Sequence, residues 1–535
     1  MHTMLAGGTA ALLLATTACA PARAAEISVA WAAAASSADP HFHAVTPNNT
    51  LARHVFSALT RTDPRGAIGP DLAASWEVKD DLVWVFHLVN ARFQDGTPFT
   101  ANDVIYSLCR TLKAVGPTQS FTEVPKTVAM AEVADPHTVV FHTHQPDPTV
   151  PALLAGYAML SAHTAGAGGD IRFDAANQCG VPLPPSSDFD ALKMTNGTGP
   201  YRLTRYVSGD VAVLEANRAY FGAAPHWDRV TIHPVPNTGA RTAGLLAGDY
   251  DLIENPAAQD LPAIKAKGGL AWTTTPSDRI IFLQPDIGRT PSPLVEAGGR
   301  NPLADARVRA AISLAIDRRA IADRLMDGLA VPADQYVTEG LPGHLATTPK
   351  LAFDPARARA LLAEAGYPDG FGLTISATND RYINDGKVVQ ALGQFLSRVG
   401  IRAKVDAMTQ TMFFPRRAKR EFSLAMGGWG YSPLSTISVL RTWVVSTDLA
   451  HGLGGSNYGA YHNPAFDDAF LPALTDLDEG SRARHLQDAT RIALTDNAII
   501  PLYWETSVWA FRDRYSYVGR TDQVTDADGL SPKAK

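Results

Sequence analysis

Cysteine is scarce in this chain of 535 residues, which carries three. The spacing of Cys19, Cys109 and Cys179 fits no structural zinc site, which needs four close ligands. No CxxC pair, HExxH helix or GxSxG elbow occurs, so dithiol exchange, zincin hydrolysis and the α/β-hydrolase nucleophile lack their sequence marks. No apolar run after residue 24 is long enough for a spanning helix, and no internal repeat is visible. Charge of one sign is also in short supply: 47 basic against 53 acidic residues give a net charge of −6, without long runs. That excludes the footprint of a nucleic-acid binder and a polybasic membrane patch. What remains is an ordinary globular composition, 46% hydrophobic and 19% charged, in a chain too long for one core, so two or three lobes are expected.

The first 24 residues differ from the rest. Leu5 to Ala18 is small and apolar but short for a bilayer, and Ala22-Arg23-Ala24 offers a small-x-small cleavage site before Ala25. Residues 1–24 therefore read as an export signal. Met1 to Met4 lacks Lys or Arg, which leaves the true start codon open. Cys19 offers a lipid anchor as the alternative to soluble export, although the usual Leu three residues before it is missing. Removing the leader leaves Cys109 and Cys179, and an even count in an oxidising compartment favours a Cys109–Cys179 disulfide over two free thiols.

Between Leu72 and Arg110 runs LAASWEVKDDLVWVFHLVNARFQDGTPFTANDVIYSLCR. Leu82, Trp84, Phe86 and Leu88 alternate with Val83, Val85, His87 and Val89 at the two-residue period of a buried strand. Asp95-Gly96 supplies a tight turn. Thr100 is placed to cap a helix with Asp103 as its capping-box partner, and Val104, Ile105, Leu108 and Leu112 form the apolar stripe. Further on, Gly197-Thr198-Gly199-Pro200 precedes a hairpin of Tyr201–Val207 and Val211–Ala216. It lacks the Gly-Lys-Ser/Thr ending and the helix of a phosphate loop. NPLADARVRAAISLAIDRRAIADRLMDGLAVP from Asn301 and FDPARARALLAEAGYPDG around Asp354 encode helices capped by Asp317 and Asp354, with Pro355 at a first helical position and Gly366 as a stop. These side chains are scaffold, not chemistry.

Together with Ile500-Pro501-Leu502-Tyr503-Trp504 near the end, these segments resemble the extracytoplasmic solute-binding proteins of the peptide/nickel/opine ABC importers, over nearly the whole chain after the leader. The resemblance implies an α/β, bilobed periplasmic-binding-protein fold of the large three-subdomain type, with two hinge strands between the lobes. Lobe I would comprise residues 25–275 with 500–535, including an extra subdomain at about 66–190, and lobe II residues 276–499. It implies a periplasmic, non-enzymatic receptor that closes over a small peptide, opine or conjugate and delivers it to an inner-membrane ABC permease. A monomer without a cofactor is expected. A secreted hydrolase is the alternative, as is a nickel-chelate receptor on the same scaffold.

SLAMGGWGY, from Ser423, resembles the family's pocket strand. Gly427, Gly428 and Gly430 would let backbone approach the ligand, and Trp429 with Tyr431 would wall it. The competing reading is a core Trp beside a glycine-rich bulge. Peptide-binding relatives carry an Asp three residues beyond this Trp, pairing with the ligand ammonium. This chain has Ser432 there. A hydroxyl cannot neutralise a buried cation, so ordinary amine-terminated peptides are disfavoured, and the serine-rich GYSPLSTIS suits an opine, a sugar-bearing compound or another modified ligand. Arg381, followed by Tyr382, stands where dipeptide-binding relatives place a carboxylate clamp; a surface arginine is the alternative. Phe42 and His43 lie in a loop that approaches the cleft in the family. His41 and His43 would suit a nickel chelate, or serve as hydrogen-bonding loop histidines.

Overall fold

The computed structural model describes residues 25–113, 121–348, 352–430 and 435–533. The expected leader with Cys19, and the pocket residues Tyr431 and Ser432, lie outside them.

Local sequence chemistry sets the elements. The helix Ala101–Arg110 starts at Thr100, whose N–H donates to the Asp103 carboxylate at 2.8 Å. Asp317 accepts from the Ala320 N–H and Asp354 from the Arg357 N–H, each at 2.9 Å. Gly366 takes a left-handed φ of 86° where the helix Pro355–Glu364 stops. The hairpin Tyr201–Val207 with Val211–Ala216 forms, with Val207 opposite Val211 and a register shift between Leu203 and Arg205. One expectation shifts: Leu82 is 40% exposed in the turn before the strand Val83–Leu88. An early helix runs from Thr46 to Val55, with Pro47 in its first turn, where the missing N–H costs nothing.

Twelve strands form one continuous sheet. At one end, Glu26–Trp31 pairs in parallel with Arg229–Pro234 and Leu252–Glu254. At the other, Gly372–Thr378 pairs in parallel with Arg402–Met408 and Leu424–Trp429. The two ends are joined by two long antiparallel strands, Leu270–Pro285 and Ile500–Arg512. Residues 270–276 of the first pair with 506–512 in lobe I, and residues 280–285 pair with Leu424–Trp429 in lobe II. The register slips between Pro276 and Ile280, where the strand changes lobe. On the return, residues 503–505 pair with Ala330–Pro332 in lobe II and 509–511 with Leu252–Glu254 in lobe I. On this return strand the pairing partner changes between Glu505 and Trp509.

Burial follows this division. Trp31, Trp227 and Trp509 share one core with Phe86 and Phe141 of a separate four-stranded antiparallel sheet, Ala73–Asp80, Val83–Leu88, Thr138–Thr143 and Val128–Asp135. The two larger cores of lobe II lie on opposite faces of its sheet. Ile281 and Leu283 face the first with Ile375 and Leu392, and Ile280 and Phe282 face the second with Trp443 and Phe466. Cys109 and Cys179 form a disulfide with their Cα atoms 5.8 Å apart. Among the described residues no helix is long and apolar enough to cross a membrane.

Candidate functional site

A cavity of about 760 Å³ lies where the joining strands change lobe. Lobe I contributes Ala44 to Pro47, at the start of the helix Thr46–Val55. Lobe II contributes Arg381, Tyr382, Arg417, Gly428, Trp429 and Tyr458, and the crossing itself contributes Arg279. Ala44 and Trp429 also line a second chamber of about 970 Å³ that extends along the cleft past Arg53, Asp71 and Arg441.

The loop carrying Arg381 and Tyr382 is held by Asp385, whose buried carboxylate accepts from both backbone N–H groups, at 3.0 and 3.1 Å, and from the Thr378 hydroxyl at 2.7 Å. Arg381 is exposed on the cavity wall with its guanidinium 5.5 Å from the Tyr382 ring centroid. Trp429 stands half-buried; its indole N–H donates to Ser438 at 2.9 Å and its ring meets Trp443 edge-on. Arg279 is answered by Glu505, 3.4 Å away. Burial pushes the Glu505 carboxyl up, and Arg279 and the Ile383 N–H hold it back.

None of the three glycines of this strand and its end has room for a Cβ. A Cβ at Gly427 would lie 2.7 Å from Arg417 Nη2, at Gly428 2.8 Å from the Tyr382 ring, and at Gly430 2.5 Å from the Arg279 Cα. Each glycine makes room for another residue of the cavity wall.

Arg417 was not singled out by its sequence context. It follows Arg416 in the helix Gln410–Ala418, and i,i+4 spacing would pair it with Glu421. The helix ends first, and Glu421 folds back onto Arg416 at 2.8 Å. Arg417 turns inward, 3% exposed, against Trp443, Phe413 and Tyr458, with its guanidinium 4.4 Å from the Trp443 ring centroid. Burial pulls it down to about 10, so it stays charged at neutral pH.

The early loop reaches the cavity two residues later than expected: Ala44 to Pro47 line it, while Phe42 and His43 line neither chamber. His41 is buried in lobe I. It accepts from Arg110 at 3.2 Å and donates to the Ala158 carbonyl at 3.0 Å, beside the Asp39–Arg110 ion pair. This packing takes His41 away from any chelate. Among the described residues no three His, Cys, Asp or Glu side chains gather to hold a metal.

Ser446, His462 and Asp467 do meet on lobe II, 2.7 Å and 2.5 Å apart at the serine oxygen. The serine hydroxyl donates to the Asp467 carboxylate, and His462 Nδ1 lies against the same oxygen. The cavity wall offers cations, aromatic faces and hydroxyls, a set suited to binding.

The family model for "Bacterial extracellular solute-binding proteins, family 5 Middle" matches residues 67–450. The chain is 28% identical over 444 residues to an Escherichia coli protein described as "Probable D,D-dipeptide-binding periplasmic protein DdpA", covering 81% of this chain and 78% of that one. It is 25% identical to the periplasmic murein peptide-binding protein MppA of Escherichia coli, covering 88% and 86%. Among solved structures, HbpA2 from Haemophilus parasuis superposes with a TM-score of 0.81 at 21% identity, over 95% of this chain and all of that one.

Proposed function

The chain belongs to family 5 of the bacterial extracellular solute-binding proteins, and from that premise we propose that it captures a small, acidic, peptide-like solute between its lobes. It is the solute-binding component of an ABC importer and a binding protein by family, not an enzyme. We place it in the periplasm, where its relatives work, as a monomer handing its ligand to an inner-membrane permease. Lobe I is taken as 25–275 with the C-terminal return, lobe II as 276–499, and the return boundary is moved to Glu505. The four-stranded sheet supports an extra subdomain at about 66–190.

The observation that carries this reading is the cavity between the lobes, with three arginines and no carboxylate among the described residues of its wall. Closing such a cleft strips water from its charges, so the ligand must supply the missing negative charge. Relatives that bind dipeptides or murein peptides indicate size and backbone, while Ser432 in place of the ammonium-binding Asp argues against a free amine beside Trp429. Arg381 is assigned to a ligand carboxylate.

A thermal-shift screen over dipeptides, longer peptides, opines, sugar conjugates and nickel chelates tests this. A ligand at one hundred times its Kd adds about 2.7 kcal/mol to stability. A shift with one solute class is expected, and Arg381→Ala should weaken an acidic member of that class at least tenfold. Turnover of a solute without any shift would overturn the receptor reading, and unchanged affinity in Arg381→Ala would remove that residue from the site.

A further inference from the structure

We propose that the solute carries two separate acid groups, the second seated on the Arg417 guanidinium inside its aromatic cage. The proposal rests on the receptor reading above and deepens it.

Arg279 is neutralised at contact by Glu505. Arg381 and Arg417 have no carboxylate within 4 Å among the described residues, and Tyr431 to Leu434, which follow the pocket strand, contain no acid. The start of the helix Thr46–Val55 adds positive potential from lobe I: its N-cap is Val45, which has no acceptor, and its first turn has no acid. Arg381 feels the Glu505 carboxylate only beyond contact distance, so among the described residues two guanidiniums and a helix start face one volume with no acid at contact.

Arg417 is the more demanding of the two. Among the described residues its one hydrogen bond is a 3.3 Å contact to Gln284 Oε1, and its Nε has no partner. Gln284 is itself fixed by donating to the Ser456 carbonyl at 2.8 Å. Trp443, Phe413 and Tyr458 offer the cation their ring faces but no counter-charge. Glycine at 427 leaves the space the guanidinium fills. An arriving anion supplies the counter-charge that the wall does not, and a planar guanidinium suits a carboxylate in bidentate fashion.

The test uses three probes: N-acetyl-Ala-Glu with two acids and no amine, N-acetyl-Ala-Gln with one acid, and Ala-Gln with one acid and one amine. Calorimetric titration of the wild type should show N-acetyl-Ala-Glu binding at least tenfold tighter than the other two. Arg417→Met should reduce that preference to less than twofold, and Arg417→Lys should retain part of it. The empty Arg417→Met protein should melt at or above the wild-type temperature, because an unpaired buried charge has been replaced by an apolar side chain. Equal binding of the acid and amide probes by the wild type would overturn the proposal. So would a preference that survives Arg417→Met, or a clear drop in melting temperature of that variant, which would make Arg417 a structural group. No binding of any probe would overturn the diacid assignment and leave the receptor reading to the wider solute screen.

Discussion

The proton of His41 sits on Nε2, because the Ala158 carbonyl on that side can only accept and the Arg110 guanidinium facing Nδ1 can only donate. A second proton on Nδ1 would point at a cation in a site shut off from water, and burial with Arg110 brings the imidazole down to about 3 despite Asp39. In the unfolded chain the same group takes up its proton near pH 6.5. The folded state therefore loses stability as pH falls from about 6.5 toward 3, by up to about 1.4 kcal/mol per pH unit from this residue. Asp71 works the other way: burial holds its carboxyl up at about 6, so its protonation favours the folded state below that pH. The contribution of His41 is thus read by difference. Denaturant midpoints of the wild type and His41→Gln, which keeps a donor and an acceptor, should diverge in slope between pH 6 and pH 4. Parallel curves would mean that the group titrates elsewhere. At this scale the sequence was partly legible. Trp429 and Arg381 stood in recognisable segments, whereas Arg417 was hidden because its inward turn depends on where its helix stops.

Elements were legible where their determinants are local. The caps at Asp103, Asp317 and Asp354 involve partners three residues away, and hairpin register follows from the turn. The pairing of the two joining strands has no such local mark, because it brings together residues more than two hundred positions apart. The helix Ala101–Arg110 combines both kinds of determinant. Its start is written locally, but its end is fixed by the Cys109–Cys179 disulfide across 70 residues and by Arg110, which reaches the Asp39 carboxylate and the Pro184 carbonyl at 2.7 and 3.2 Å. Closing a loop of that length removes unfolded-state entropy equivalent to roughly 4 kcal/mol. Replacing both cysteines by alanine should lower the thermal midpoint markedly, and adding reductant to the wild type should shift it the same way. A double variant that melts with the oxidised wild type would show that the Asp39–Arg110 pair alone holds this corner.

For the molecule as a whole, the critical place is the crossing, because any closure of one lobe on the other bends the two long strands there. Ser277 donates to the Glu505 carbonyl at 2.9 Å, which ties the strands together at that point. The Glu505 carboxylate receives Arg279 from the first strand and the Ile383 N–H, at 3.0 Å, from the loop that carries Arg381. Arg279 in turn donates to Gln523 of lobe I at 3.1 Å. One carboxylate thus links both lobes, the crossing and the ligand loop, and it cancels one of the three cationic charges of the cavity. Glu505→Gln keeps an acceptor for Ile383 but frees Arg279. Because Arg279 keeps some contact with solvent, with 15% of its side chain exposed, the loss of stability should be roughly 2 kcal/mol, below the usual range for breaking a fully buried pair. The freed charge should raise affinity for N-acetyl-Ala-Glu several-fold and steepen its dependence on salt, since one more cation faces the ligand. Titration at two salt concentrations reads both effects. A fall in affinity would instead assign Glu505 chiefly to holding the 381–385 loop, and an unchanged salt dependence would place Arg279 outside the field of the ligand.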